Sequence, residues 1–125
     1  MIGDLSKSKL VYLASPYSHD DDAMMLWRFE RAAEAAAYLM RQGLLVFSPI
    51  AHTHPIAQFG LPKGWDFWKQ YDSAFMDVCL GGIVVLALPG WVASKGVQAE
   101  IAYMRDKDRP IEFLYPDDMN MEAAQ

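Results

Sequence analysis

The sequence predicts a doubly wound α/β fold with a mainly parallel sheet, of the flavodoxin-like or Rossmann-like kind. Short apolar runs alternate with longer segments whose apolar residues recur at helical spacing, and a proline follows each run within two residues. Strands that are separated by helices pair in parallel through right-handed crossovers. The predicted strands are Leu10–Ala14, Leu44–Phe47, Ile83–Leu88 and Ile111–Tyr115.

Three helices are predicted between these strands. The first is capped within Asp20–Asp22, closes at Gly43 and carries charged residues, Arg28 among them, on the face opposite its apolar stripe. The second runs from about residue 65 to 79, and the third begins after a cap at Ser94 and reaches about Lys107. Residues 50–63, with two prolines, a glycine and two histidines, predict a long surface loop. The acidic tail, residues 116–125, is expected to fray.

The length and composition favour one domain over residues 1–125, with a core at about 9–115. The chain has 125 residues and a net charge of −5 without a run of lysine or arginine, so a nucleic-acid polymer is not an expected partner. Cys79, the single cysteine, lies in an apolar stretch and is predicted to be a buried thiol. No signal-peptide core and no apolar run long enough to span a bilayer are present, which predicts a cytoplasmic protein without membrane contact.

Two carboxylates are the strongest candidates for chemistry. Asp72 falls on the apolar stripe of the second helix, where an unpaired carboxylate is costly. It either caps a loop or pairs with an arginine, or it has a ligand-binding or catalytic role. Glu100 lies at the edge of the stripe formed by Val97, Ile101 and Met104. It either faces solvent or points towards the strand ends, near a helix N-terminus that favours an ionised carboxylate.

The start of the third helix and the first strand-end loop are candidate binding segments. Ser94 and Gly96 provide a hydroxyl, backbone N–H groups and a small residue at a helix start, an arrangement that suits an anion. A plain N-cap role for Ser94 explains this pattern equally well. Ser15, Tyr17 and Ser18 follow the first strand and suit sugar or phosphate contacts, or they form an ordinary Ser-Pro turn.

Histidines and tryptophans give weaker signals. His52 and His54 have no third ligand nearby and therefore do not predict a metal site. Either they are ordinary loop histidines, or one of them lines the pocket. His54 is the candidate for that second role. Trp91 is a candidate for stacking on a base. Packing is the better explanation for Trp65 and Trp68 on the second helix.

These residues together resemble the nucleoside 2-deoxyribosyltransferase-like superfamily, and more closely a small bacterial branch of it with no assigned function. The resemblance rests on the segment Tyr12–Tyr17, in which the first strand ends, on Asp72, and on the pattern Pro-Gly-Trp…Ser-x-Gly-x-x-x-Glu-Ile-x-x-Met within residues 89–104. It spans roughly residues 9–115, and its last segment is the most specific part.

The resemblance implies an N-glycosidase or glycosyltransferase without a cofactor. Glu100 would attack the anomeric carbon and displace the base, and water or a second base would resolve the intermediate with retention. Asp72 would hold a sugar hydroxyl or help to protonate the leaving base, and Ser15 and Tyr17 would contact sugar or phosphate. Deoxyribosyltransferases carry an aspartate where this chain has Ser94, whereas related 5′-monophosphate hydrolases have a phosphate-binding serine there.

The expected partner is therefore a small nucleoside or nucleotide. A different hypothesis is that the protein is a non-catalytic nucleotide-binding or sensing module, with the same pocket but no reaction. Relatives assemble, and the chain is rich in tryptophan and methionine, so we also expect a homo-oligomer, either a dimer or a tetramer.

Overall fold

The computed structural model describes residues 8–120, which form a sheet with helices on both of its faces. In chain order the elements are β1 (Leu10–Ala14), α1 (Asp22–Arg41), β2 (Leu45–Phe47), α2 (Pro49–Ala57), α3 (Trp65–Val78), β3 (Gly82–Leu86), α4 (Lys95–Asp106), β4 (Ile111–Leu114) and a 3₁₀ helix (Pro116–Met119). No helix among these residues is both long enough and apolar enough to cross a bilayer.

All strand pairs are parallel, and the strand order is β2-β1-β3-β4. This order, with crossover helices on both faces, is the doubly wound arrangement that the alternation of strands and helices predicts. The order reverses direction next to β1, because the chain first moves outward to β2 and then returns to the other side for β3. In such sheets the loops at the carboxyl ends of the strands form a crevice for ligands.

The two faces of the sheet are covered by different helices. On one face, Val11 and Leu13 of β1 pack against α1 residues such as Leu39. On the other face, Tyr12 of β1 packs in a second cluster with residues of α3 and α4, including Met76. The alternation follows from the two-residue period of a strand. Cys79 is fully buried in this second cluster, and burial raises the pKa of its thiol to about 11, which confirms a buried thiol.

Local signals set the ends of two helices as predicted. The Asp21 side chain accepts a hydrogen bond from the backbone N–H of Ala23 at the start of α1. Gly43, with φ of +92°, follows the end of α1 in the left-handed conformation. The Ser94 hydroxyl oxygen accepts from the backbone N–H of Val97 and caps α4.

The predicted surface loop at residues 50–63 is wrong over its first half. Helix α2 occupies Pro49–Ala57, and the Ser48 hydroxyl caps it by accepting from the N–H of Ala51 at 3.2 Å. Proline at the first helical position is favourable because its missing N–H would be unpaired there in any case. Pro55 lies inside the helix, and this second proline makes the segment look like a loop in the sequence.

The start of the acidic tail is ordered instead of frayed. Pro116–Met119 forms a 3₁₀ helix, in which the Asp118 carboxylate accepts from the N–H of Tyr115 at 3.0 Å. Met119 packs against the apolar cluster under α1. Residues 121–125, the rest of the predicted tail, lie outside the described residues. Strand β3 also ends at Leu86, two residues earlier than predicted, although Leu88 is still buried.

Candidate active site

A cavity of about 480 Å³ lies where the loops after β1 and β3 meet α2, α3 and α4. This is the position that a doubly wound sheet offers to ligands. All of the predicted site residues except His54 and Trp91 line it. These lining residues are Ser15, Tyr17, Ser18, Asp72, Ser94, Gly96 and Glu100.

Two acidic side chains from different helices meet at this cavity. Asp72 of α3 and Glu100 of α4 are only 6% and 5% exposed. The Tyr12 hydroxyl of β1 donates a hydrogen bond to Glu100 Oε2, and Asp72 lies close enough to Glu100 for the two carboxyl groups to influence each other's pKa. Three elements that are distant in sequence therefore converge on one carboxyl pair.

The alternative in which Glu100 faces solvent is wrong. Helix α4 buries Val97, Ile101 and Met104 against the sheet, and Glu100 shares that buried side of the helix. Since Glu100 begins the second turn, its carboxyl reaches the ends of the strands and not the middle of the sheet.

Burial makes both carboxyl groups hold protons more tightly than usual. It is the main cause that raises the pKa of Asp72 to about 6, while hydrogen bonds from Glu100 and Tyr12 oppose the rise. Burial, followed by the nearby Asp72 charge, raises the pKa of Glu100 well above its usual range, against the effect of the Tyr12 hydrogen bond. Both shifts favour the protonated forms, so the two groups share a proton up to a higher pH than two free carboxyl groups would. The expected influence of the helix N-terminus on Glu100 is outweighed by this burial.

Two buried polar atoms without protein partners belong to residues that line the cavity. Among residues 8–120, Ser15 Oγ and Asp72 Oδ1 have no hydrogen-bond partner although both residues line the cavity. Buried polar atoms in native proteins are nearly always hydrogen-bonded. Two unmet hydrogen bonds therefore lie at residues that line the cavity, Ser15 and Asp72.

The first turn of α4 lies at the cavity, where a serine side chain caps it and a tryptophan ring packs against it. The cap at Ser94 is confirmed by its hydrogen bond, while an anion-binding role stays a prediction. A Cβ atom at Gly96 would lie 3.3 Å from Cε3 of Trp65. Glycine at this position lets the Trp65 ring lie directly against the first turn of α4.

A group of cations lies at the cavity, of which Arg28 and Lys63 were not expected from the sequence. Arg28 lies on α1 but lines the cavity, where its guanidinium donates to the carbonyl oxygens of Ser18 at 3.0 Å and Pro89 at 3.4 Å. Lys63 and Lys95 also line it, and both form ion pairs with exposed aspartates. No carboxylate forms an ion pair with Arg28 within the described part of the chain, so its charge is available to an anion.

The tryptophans reverse the expectation from the sequence. Trp65 and Trp68, expected to serve in packing, line the cavity, and Trp68 Nε1 donates to the carbonyl of Pro62 at 2.7 Å. Trp91, expected to stack on a base, packs instead against Phe113 of β4 with ring centroids 5.4 Å apart.

His54 lies behind the cavity wall. Its ring does not line the cavity, and its Nδ1 atom is 2.6 Å from the hydroxyl oxygen of Tyr17, which does. A direct contact between His54 and a ligand is therefore not what the geometry favours. His54 contacts a residue that lines the cavity, Tyr17, and not the cavity itself.

The sequence profile of a family described as a domain of unknown function (DUF1937) matches residues 9–115. The chain belongs to this family. The comparison with curated proteins finds no match.

The part of the chain that matches the DUF1937 profile includes the whole sheet and every residue named above as lining the cavity. The carboxyl pair and the surrounding cations therefore belong to the family domain and not to an appended segment.

Proposed function

We propose that the protein cleaves the bond between sugar and base in a nucleoside, a deoxynucleoside or a 5′-monophosphate of either, as the nucleoside 2-deoxyribosyltransferase-like enzymes it resembles do. The observation that carries this proposal is the buried pair of Asp72 and Glu100 facing a cavity, with Tyr12 bonded to Glu100. Strongly shifted carboxyl groups with a specific charged partner in a cavity mark candidate active sites.

In the proposed reaction, ionised Glu100 attacks the anomeric carbon and forms a glycosyl ester. The bond between that carbon and the base nitrogen breaks, and the nitrogen leaves with the electron pair. Water or a second base then attacks the same carbon and releases the Glu100 carboxylate, so that configuration is retained.

The shared proton of the pair supports this division of roles. When Glu100 is ionised, the proton resides on Asp72, which is then able to deliver it to the departing base. The Tyr12 hydroxyl stabilises the ionised form of Glu100 by donating to it. In this scheme the proton is on Asp72 before the first step and on the departing base after it.

The cations at the cavity favour substrates that carry an anionic group. Arg28 supplies a guanidinium without a carboxylate partner among residues 8–120, and the N-terminus of α4 begins at the same cavity behind Ser94. Backbone N–H groups at a helix start and an arginine are both suited to phosphate. Trp65 and Trp68 add flat apolar surface suited to a base. These features favour a nucleoside 5′-monophosphate over a nucleoside.

One observation favours the second candidate, a nucleotide-binding or sensing module without turnover. Burial raises the pKa of Glu100 well above its usual range and so favours its protonated form in the substrate-free protein. A protonated carboxyl is a hydrogen-bond donor and not a nucleophile. If substrate binding does not move this proton to Asp72, the cavity binds its ligand and releases it unchanged.

Base release from a panel of nucleosides and 5′-monophosphates tests the proposal. Free base is separated by chromatography after incubation with the native protein, with Glu100→Gln, and with Glu30→Gln as a control for an exposed glutamate on α1. The proposal expects release that Glu100→Gln abolishes and Glu30→Gln retains.

Two results would decide against cleavage by Glu100. Release at the native rate by folded Glu100→Gln would overturn the assignment of the nucleophile. Binding of panel members in calorimetry without release of base, even with a second base supplied as acceptor, would select the binding module.

A further inference from the structure

We propose that His54 is a positioning residue: it holds the Tyr17 hydroxyl so that Tyr17 offers a lone pair, and not its proton, to the cavity. Tyr17 then selects a ligand that carries a hydroxyl or amino donor at that point. The selection step rests on the proposed function, since the ligand is taken to be a nucleoside or its monophosphate.

The imidazole of His54 is fixed by its aromatic neighbours. Its ring stacks on Phe29 of α1 with centroids 4.4 Å apart and an interplanar angle of 23°, and it meets the Tyr17 ring edge-on at 5.5 Å. Ring contacts on two sides restrict rotation of the imidazole. Nδ1 therefore stays directed at the Tyr17 hydroxyl.

The chemistry of the two groups indicates which one donates. Tyr17 Oη and His54 Nδ1 are 2.6 Å apart, which is hydrogen-bond distance, and a neutral imidazole nitrogen is a more basic acceptor than a phenol oxygen, while the phenol O–H is an acidic donor. The Tyr17 hydroxyl therefore donates to Nδ1, and the proton of the neutral imidazole resides on Nε2.

The protonation states of both groups agree with this direction. Burial lowers the pKa of His54, which keeps the imidazole neutral around pH 7 and leaves Nδ1 able to accept. Burial, with a smaller contribution from Asp22, raises the pKa of Tyr17, so the phenol keeps its proton. A phenol whose single proton is already donated is only an acceptor towards a further partner.

The consequence is a rule for recognition at the cavity wall. A ligand group that donates satisfies the free lone pair of Tyr17, whereas a group that only accepts leaves two acceptors facing each other. Sites built to bond a specific hydroxyl or amine discriminate strongly against analogues that lack it, because buried polar groups are then unpaired.

Nitrogen NMR of the substrate-free protein tests the orientation without any assumption about function. The expected result is that His54 carries its proton on Nε2 with Nδ1 unprotonated around pH 7. In Tyr17→Phe the Nδ1 signal should shift, because its hydrogen-bond donor is gone. A proton found on Nδ1 of His54 in the native protein would overturn the proposal.

Paired ligands test the selection. Affinities from calorimetry are compared for nucleoside 5′-monophosphates with and without the 2′-hydroxyl, the 3′-hydroxyl or an exocyclic amino group, and these arms identify which donor meets Tyr17. For one of these pairs of ligands, the two affinities for the native protein should differ by about tenfold or more. Tyr17→Phe and His54→Phe should reduce that ratio several-fold, while His54→Asn, which keeps an acceptor near Nδ1, should restore part of it.

His52→Phe is the matched control, because His52 lies on the same helix and contacts Phe47 and Phe75 instead of Tyr17. It should leave the ratio unchanged. An unchanged ratio in folded His54→Phe would overturn the selection. Failure of the proposed cleavage is a separate result, since it would appear as absent base release while the NMR signals and the binding ratios keep their expected values.

Discussion

The two faces of the sheet differ in what they bury. On the face covered by α1, the fully buried cluster is apolar throughout, with Leu39 and Leu86 among its members. The face covered by α3 and α4 also has an apolar centre, but at its edge it buries Asp72 and Glu100 next to Tyr12. Burial on the first face stabilises the fold. On the second face, keeping two carboxyl groups away from water lowers the stability of the fold.

A single strand separates the two environments. Val11 and Leu13 of β1 point to the apolar face, and Tyr12 between them points to the face with the carboxyl pair. A shift of one residue in the pairing of β1 would exchange these side chains. Truncation of a buried apolar side chain and neutralisation of a buried carboxyl group should therefore have opposite effects on stability.

The largest expected effect lies on the α1 face. Leu39→Ala should lower the free energy of unfolding by about 2 to 5 kcal/mol, because it removes a fully buried side chain and leaves a cavity. Urea unfolding measures the change, with Met40→Ala, at the neighbouring half-exposed position, as the control that should change far less. A loss below about 1 kcal/mol for Leu39→Ala would show that the cluster collapses around the gap.

The opposite sign is expected for the carboxyl pair. Asp72 has its pKa raised from 3.8 to about 6, so its ionisation around neutral pH disfavours the folded state by up to roughly 3 kcal/mol. Asp72→Asn should therefore stabilise the protein by about 1 to 3 kcal/mol at pH 8.

The pH dependence of this gain follows from the sign of the shift. Because the folded protein holds the proton more tightly, the native protein loses stability as pH rises from about 4 through about 6. The advantage of Asp72→Asn should thus disappear towards pH 4, which denaturant unfolding at several pH values measures. A variant that is less stable than the native protein at pH 8 would show that the carboxylate is needed for packing.

A smaller effect is expected at the cations of the cavity. Arg28→Met should weaken the binding of a nucleoside 5′-monophosphate by about tenfold, because the cation without an acidic partner is lost, and should change nucleoside binding much less. Calorimetry with both ligands measures the difference. Arg31→Met on the same helix is the control, since Arg31 pairs with Glu34 and does not line the cavity. Equal losses for both ligands would indicate that Arg28 only ties the loops together.

Much of the fold is predictable from the sequence because its signals are local. Strand and helix periods, the cap at Ser94 and the glycine at position 43 each act within a few residues, and the structure confirms them. Helix α2 was missed because Pro55 inside it resembles a loop signal. Whether the chain is cytoplasmic, and whether it assembles into a dimer or tetramer, stay predictions.

The site was only partly predictable for a physical reason. Helical periodicity identified Asp72 as a residue on a covered face, but it did not tell whether core or cavity covers that face, so Trp65 and Trp68 were assigned to packing. Arg28 lies outside the apolar stripe of α1, yet its long side chain reaches the strand-end loops. The bond between Tyr12 and Glu100 joins residues 88 positions apart, which no local pattern reveals.

The most direct test of the central claim is to look for the sugar on Glu100 itself. The protein is incubated with a 2′-fluorinated nucleoside or its 5′-monophosphate, which slows the second step, then quenched with acid, digested and measured by mass spectrometry. We expect a glycosyl ester on the peptide that contains Glu100, and none in Glu100→Gln. Release of base from the same substrate without an adduct on Glu100, or with an adduct on another residue, would contradict it.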